Sequence, residues 1–413
     1  MKPILKNCIL LVLLAGAVSC GKQPKPEPGP GPDDPNPPAP KENTTVAAAQ
    51  SKYYLTAAED LDGRVTPKTA GLKVLLQDSK YYAVGERVLS VSYAADKDIV
   101  GEIKDDEPVG GGKTVTMTWS SEDPVHRPAV GHAPEAAEFG LLCLPGTFTG
   151  KFTVTTSRYT YEFTKTVTAV AGQTVTVTLD FAAPDEQPTR KVGIIGDSIS
   201  TFDGTMCSPE YTAFYPANDP NVGNADATLA AKAVDSKEKT WWWRVIYDNM
   251  QHGTLDVNNS WSGTRVVHEV KNGRSSGKPT PAGFVDRAYA FEDPDIIIIH
   301  GGTNDVNQSS PLGTFDWDLP IGQLDANSYW SAMILLVKML QNRYEGVQII
   351  MLIGDRLSTN YEAANKAVAE HFGLPYVNFV GDTIEKCKGS HPTAPAFKQM
   401  ADKIYDTCKD YLP

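Results

Sequence analysis

The chain has only 6 cysteines in 413 residues, and no two of them stand in a C-x-x-C pair. Histidine is scarce too, at 7. With no Cys or His at metal-ligand spacing, a structural zinc site is not expected. Basic residues are outnumbered, 38 Lys and Arg against 50 Asp and Glu, for a net charge of −12. A nucleic-acid partner is therefore not expected. Long apolar runs are missing after the first 20 residues, so no spanning helix is expected in the body of the chain.

The one long apolar run opens the sequence. Lys2 and Lys6 precede Ile9–Leu14, then the small residues Ala15, Gly16 and Ala17, then Val18, Ser19 and Cys20. Charge, length and small-residue exit read as a signal peptide over 1–20. Small residues followed at once by Cys20 resemble the lipobox of bacterial lipoproteins. That resemblance implies a lipid on Cys20, a membrane partner through that anchor, and a place in the bacterial cell envelope. Residues 21–47 are rich in Pro, Gly, Lys and Asp, with Pro24, Pro26, Pro28, Pro30 and Pro32 alternating with other residues. Such a stretch reads as an extended tether. Of the remaining cysteines, Cys143, Cys207, Cys387 and Cys408 allow pairing, but spacing does not decide it.

From 48 to 184 the apolar period is two. Val115, Met117 and Trp119 alternate with Thr, as do Val175, Val177 and Leu179. Gly85, Gly110–Gly112 and Pro145–Gly146 punctuate the runs. The spacing predicts an antiparallel β-sandwich with no catalytic constellation of its own.

From 190 to 413 the pattern changes to strand–helix alternation. Strands are expected at 191–195, 254–259, 295–300, 347–353 and 375–380. Helices are expected from Trp241 to Met250, Ser328 to Arg343, Tyr361 to Phe372 and Pro395 to Tyr411. This predicts a three-layer α/β fold around a five-stranded parallel sheet.

Polar residues recur just past each predicted strand. Gly196-Asp197-Ser198 follows the first and Ser260-Trp261-Ser262-Gly263 the second. Gly301-Gly302-Thr303-Asn304-Asp305 follows the third, Gly354-Asp355-Arg356 the fourth and Ser390-His391-Pro392 the fifth. A parallel sheet delivers all five points to one edge. A hydroxyl, a glycine amide, an asparagine amide and an imidazole are the parts acyl transfer needs.

These four blocks, in this order, resemble the SGNH or GDSL-type hydrolase superfamily over about 191–413. Gly196-Asp197-Ser198 stands as its first block, with Ile199 where the family has Leu. Gly263 stands as the second, Gly302-Thr303-Asn304-Asp305 as the third and His391-Pro392 as the last. The resemblance implies a flavodoxin-like sheet and a carboxylic ester hydrolase without metal or cofactor. It implies Ser198 as nucleophile and His391 as base. An oxyanion hole would come from the N–H groups of Ser198 and Gly263 and from the Asn304 side chain. The expected substrate is an O-acyl ester, acetyl on carbohydrate first. A lipid or thioester acylhydrolase, or a decayed carbohydrate-binding lipoprotein, stays as an alternative. One position departs from the pattern: the family's Asp three residues before the histidine is Lys388 here. A Ser198–His391 dyad oriented by a backbone carbonyl is expected, with Asp382 or Glu385 on the same loop as the alternative acid.

Overall fold

The computed structural model describes residues 56–57, 65–83, 85–104, 107–118, 137–208, 213–215, 232–273 and 276–413. The signal-like segment with Cys20, the Pro-rich stretch 21–47 and Trp119 lie outside the described residues. The chain divides into two compact units at Glu186/Gln187, and residues 79–85 belong with the second.

The first unit is all β. Strands β1 (Thr56–Ala57), β2 (Ala70–Gln77), β7 (Ala137–Cys143) and β10 (Thr174–Asp180) form one sheet in the order β1-β7-β2-β10. Strands β3 (Val88–Ala95), β6 (Thr114–Thr118), β8 (Gly146–Thr156) and β9 (Thr160–Ala169) form another in the order β6-β3-β8-β9. A separate hairpin pairs β4 (Val100–Lys104) with β5 (Glu107–Gly112). Alternation sorts side chains by face, so Phe148, Phe152, Tyr161 and Phe163 turn inward and are buried. Tyr161 and Phe163 meet Phe181, just past β10, at ring separations of 4.7 and 6.5 Å. One pairing departs from expectation: β10 runs parallel to β2. Between them the chain enters the other sheet twice, with β7 of this sheet in between, a connection long enough to return in the same direction. The Thr/Val alternation of β10 records which face is buried and says nothing of the neighbour's direction.

The second unit is a doubly wound α/β domain. Its sheet contains β11 (Arg190–Gly196), β12 (Gly253–Ser260), β15 (Ile296–Gly301), β16 (Gln348–Ile353) and β17 (Tyr376–Asn378). The order is β12-β11-β15-β16-β17 with every pair parallel. The central strands β15 and β16 are buried at every position, as Ile-rich runs covered on both faces should be. Alternate residues feed two cores. Ile297, Ile299, Ile349 and Met351 pack with helices α2 (Phe284–Arg287), α4 (Tyr329–Arg343) and α5 (Thr359–Phe372) on one face. Ile296, Ile298, Ile350 and Leu352 pack with α1 (Trp241–Trp243, continued as a π-helix to Asn249) and α6 (Ala394–Cys408) on the other. A short helix, α3 (Thr303–Asn307), follows β15 directly.

The connection from β12 to β15 holds elements that no apolar period in the sequence marks. It contains a small hairpin, β13 (Val270–Asn272) with β14 (Pro279–Pro281), and only the four-residue α2. Within this unit the Tyr81 ring stacks on Tyr411 at 5.0 Å, and Lys80 pairs with Asp410. Among the described residues Cys143, Cys207, Cys387 and Cys408 form no disulfide with one another.

Candidate functional site

Strand order reverses beside β11, because β12 lies on one side of it and β15 on the other. The carboxyl edge at such a reversal opens a crevice. Ser198 stands there, two residues past β11, at the start of a 3-10 turn over Ser198–Ser200. Two features fix this turn. Asp197 Oδ1 accepts the Ile199 N–H at 3.0 Å. A Cβ on Gly196 would meet Ser200 Oγ at 2.6 Å and Ser260 Oγ at 3.0 Å, so only glycine fits. Thr201 Oγ1 donates to Ser198 O at 2.8 Å and closes the turn. Asp197 is fully buried, and burial pushes its carboxyl up to about 7, against the pull of the Ile199 N–H.

After β12 comes a second tight turn. Thr264 N–H donates to Trp261 O at 3.3 Å, and Gly263 has φ +77° while Ser262 stays out of the positive region. That is a type II turn, whose central N–H, here that of Gly263, points away from the turn's own hydrogen bond. Glycine is required by the left-handed backbone rather than by crowding, since the nearest atom to an added Cβ would be Lys271 Nζ at 3.4 Å. Lys271, on β13, donates to Gly263 O at 2.6 Å.

Past β15, Gly302 takes φ +99° and starts α3. The next turn puts Asn304 beside the Gly263 loop, where its Nδ2 donates one hydrogen to Thr264 O at 2.9 Å. An amide –NH2 carries a second hydrogen. Asp305 points into the interior. It accepts from Val266 N at 2.8 Å and from Ser310 Oγ at 3.0 Å, and burial raises its carboxyl to about 6.

His391 lies on a third tight element, the hairpin of β18 (Lys386–Lys388) with β19 (His391–Pro392), turned by Gly389 at φ +58°. Lys388 is the cross-strand neighbour of His391. His391 Nε2 lies 2.8 Å from Ser198 Oγ, a distance at which a proton can pass. The two residues are 193 positions apart in the chain. Asp382 and Glu385 have partners of their own. Lys403 Nζ donates to Asp382 Oδ2 at 2.6 Å. Lys232 pairs with Glu385, and Thr393 Oγ1 donates to it at 2.9 Å. His300 is a buried core residue, held down to about 3 by burial, with Nδ1 3.4 Å from Ser200 Oγ.

Three residues around the crevice make contacts that the sequence does not assign. Arg287 is buried, and its guanidinium donates to Asn259 O at 2.6 Å, Gly196 O at 3.3 Å and Thr264 Oγ1 at 3.1 Å. It thus ties the ends of β11 and β12 to the Gly263 turn. Phe214 lies flat on the His391 ring, 3.3 Å away and 2° from parallel. Lys271 has no local signal either, because its partner Gly263 belongs to a different loop. Among the described residues no group of three or more His, Cys, Asp or Glu side chains is placed to hold a metal.

A buried hydroxyl, an imidazole at transfer distance and amide groups from two neighbouring turns are the parts that acyl transfer uses. Residues 190–408 match the family model described as GDSL-like Lipase/Acylhydrolase. Among solved structures, a GDSL-like lipase from Bacteroides ovatus, itself described as putative, shares 27% identity, covering 54% of this chain and 99% of that one, with a TM-score of 0.45. A similar protein from Bacteroides uniformis shares 26%, covering 53% and 94%, with a TM-score of 0.44. A family two carbohydrate esterase from Clostridium thermocellum, solved with cellohexaose, shares 15%, covering 83% and 92%, with a TM-score of 0.34. No curated protein matches the chain. With more than half of its length matched by that model, and with a parallel five-stranded α/β unit carrying the match, the chain belongs to the GDSL-like lipase/acylhydrolase family and is a hydrolase of the SGNH type.

Proposed function

We propose that the α/β unit is a serine esterase that removes O-acyl groups, acetyl above all, from carbohydrate. The observation that carries this reading is the 2.8 Å approach of His391 Nε2 to Ser198 Oγ at the sheet's reversal point. In the proposed reaction Ser198 Oγ attacks the ester carbonyl carbon while His391 takes its proton. The oxyanion is met by the N–H groups of Ser198 and Gly263 and by the second Asn304 hydrogen. Loss of one such donor costs about 3 kcal/mol of barrier. His391 then gives the proton to the leaving alkoxide, and water repeats the sequence on the acyl-enzyme. Asp382 is left out, since its carboxylate is engaged by Lys403.

The preference for a short acyl group rests on space. Ser198 is only 8% exposed, and Phe214 covers one face of its histidine. The carbohydrate half rests on the export signal read in residues 1–20, which sends the chain toward envelope and extracellular polymers. Attachment through a lipid on Cys20 belongs to the same proposal.

Acetate release from a panel of acetylated oligosaccharides, run beside p-nitrophenyl esters from acetyl to octanoyl, tests both halves. The expected result is acetate release from at least one oligosaccharide and a kcat/KM that falls about tenfold or more as the acyl chain lengthens. A kcat/KM that rises with chain length would favour a lipid acylhydrolase.

A further inference from the structure

We propose that Phe214 is the positioning residue that sets the plane of the His391 ring, taking on part of the orienting role of the aspartate that Lys388 replaces. The inference rests on the Ser198–His391 reading above and extends it to a residue that acts through the histidine.

The second side-chain torsion of histidine is broad on its own, so a ring on a short hairpin needs outside contacts to face one way. A base must be aimed, because a misplacement of about 1 Å can cost about a hundredfold in rate. Phe214 supplies a wall. Its ring is 2° from parallel to the imidazole at 3.3 Å, which is van der Waals contact over the whole face. Turning the imidazole about its long axis would drive one ring edge into the phenyl. Tyr215 closes the neighbouring side edge-on, 6.1 Å away at 80°.

The wall is itself anchored to both halves of the site. Phe214 N–H donates to Thr201 Oγ1 at 2.9 Å, and the same hydroxyl donates to Ser198 O at 2.8 Å. Tyr215 O accepts from Asp203 N–H at 2.9 Å, and Tyr215 OH donates to Pro392 O, beside His391, at 3.1 Å. Two adjacent residues thus bracket the nucleophile turn on one side and the histidine hairpin on the other. A side chain that only filled space would need neither parallel planes nor this double attachment.

The test compares Phe214→Leu, Phe214→Ala and Phe214→Tyr in the full chain, with kcat and KM for p-nitrophenyl acetate and folding followed by circular dichroism. Leucine keeps the bulk and apolar character but has no flat face. Both Leu and Ala are expected to lower kcat by about tenfold to a hundredfold with KM nearly unchanged, whereas Tyr restores kcat to within about threefold. Native kcat in folded Phe214→Leu, or a Tyr variant as impaired as Leu, would overturn the proposal. So would a raised KM at unchanged kcat, which would make Phe214 a substrate contact. Ser198→Ala and His391→Ala run in parallel: if both are inactive while Phe214→Leu is fully active, only the positioning role falls. Retained activity in Ser198→Ala would remove both readings.

Discussion

Asp197 sits beside the proposed nucleophile, yet its work is conformational. Its carboxylate holds the Ile199 N–H and so bends the chain at Ser198. Burial raises the folded-state pKa from an ordinary 3.8 to about 7. A raised acid pKa means that the fold prefers the protonated carboxyl. Stability from this group is therefore complete below pH 3.8 and is lost as pH rises toward 7. Asp305 contributes with the same sign, since burial raises it to about 6. Asp197→Asn keeps an oxygen acceptor and removes the titration. Thermal melting of this variant is expected to fall less steeply between pH 4 and pH 7 than that of the parent. Identical slopes would show that Asp197 is not the group responsible. Residues such as Ser198, Gly263, Asn304 and His391 were legible because each sits in a short motif beside a strand end. The contacts of Phe214, Lys271 and Arg287 were not, because each meets a partner on another loop or strand, and no local pattern marks such a contact.

The turns carry the site, and each depends on a residue its neighbours cannot replace. Gly302 is the sharpest case. Its φ is +99°, and a Cβ there would meet Tyr329 Oη at 2.4 Å and Leu357 Cδ2 at 3.0 Å. Gly302→Ala is expected to lose about 1–3 kcal/mol in urea unfolding. Gly322→Ala, where an added Cβ meets nothing within 4 Å and φ is ordinary, is expected to stay within about 0.5 kcal/mol. Equal losses at the two glycines would contradict the geometry given for Gly302. The five parallel strands were readable from apolar runs ending in polar clusters, and the long helices from their period. The β13–β14 hairpin was not, since Val270-Lys271-Asn272 and Pro279-Thr280-Pro281 bury no regular face. The parallel return of β10 onto β2 was equally hidden, because alternation in one strand carries no sign of its neighbour's direction.

At the scale of the whole chain, the proposed chemistry is confined to one unit. Ser198, Gly263, Asn304 and His391 all fall within 187–413, and the family match over 190–408 covers the same stretch. Composition separated the all-β unit from the α/β unit, because apolar period two gives way to strand–helix alternation near 190. No helix among the described residues is long and apolar enough to cross a membrane. The proposed attachment therefore rests on Cys20 and the small residues before it. Cys20→Ala, expressed with its own leader, is expected to move the protein from the detergent phase to the aqueous phase of a phase-separation assay. Partitioning unchanged by the substitution would refute the lipid anchor.

In the proposed reaction Ser198 carries the acyl group. Mass spectrometry of the enzyme quenched during turnover of p-nitrophenyl acetate reads this directly. An acetyl group is expected on the peptide containing Ser198, with neither adduct nor turnover in a folded Ser198→Ala protein. An active enzyme with no acetyl on Ser198, or undiminished turnover in Ser198→Ala, would contradict it.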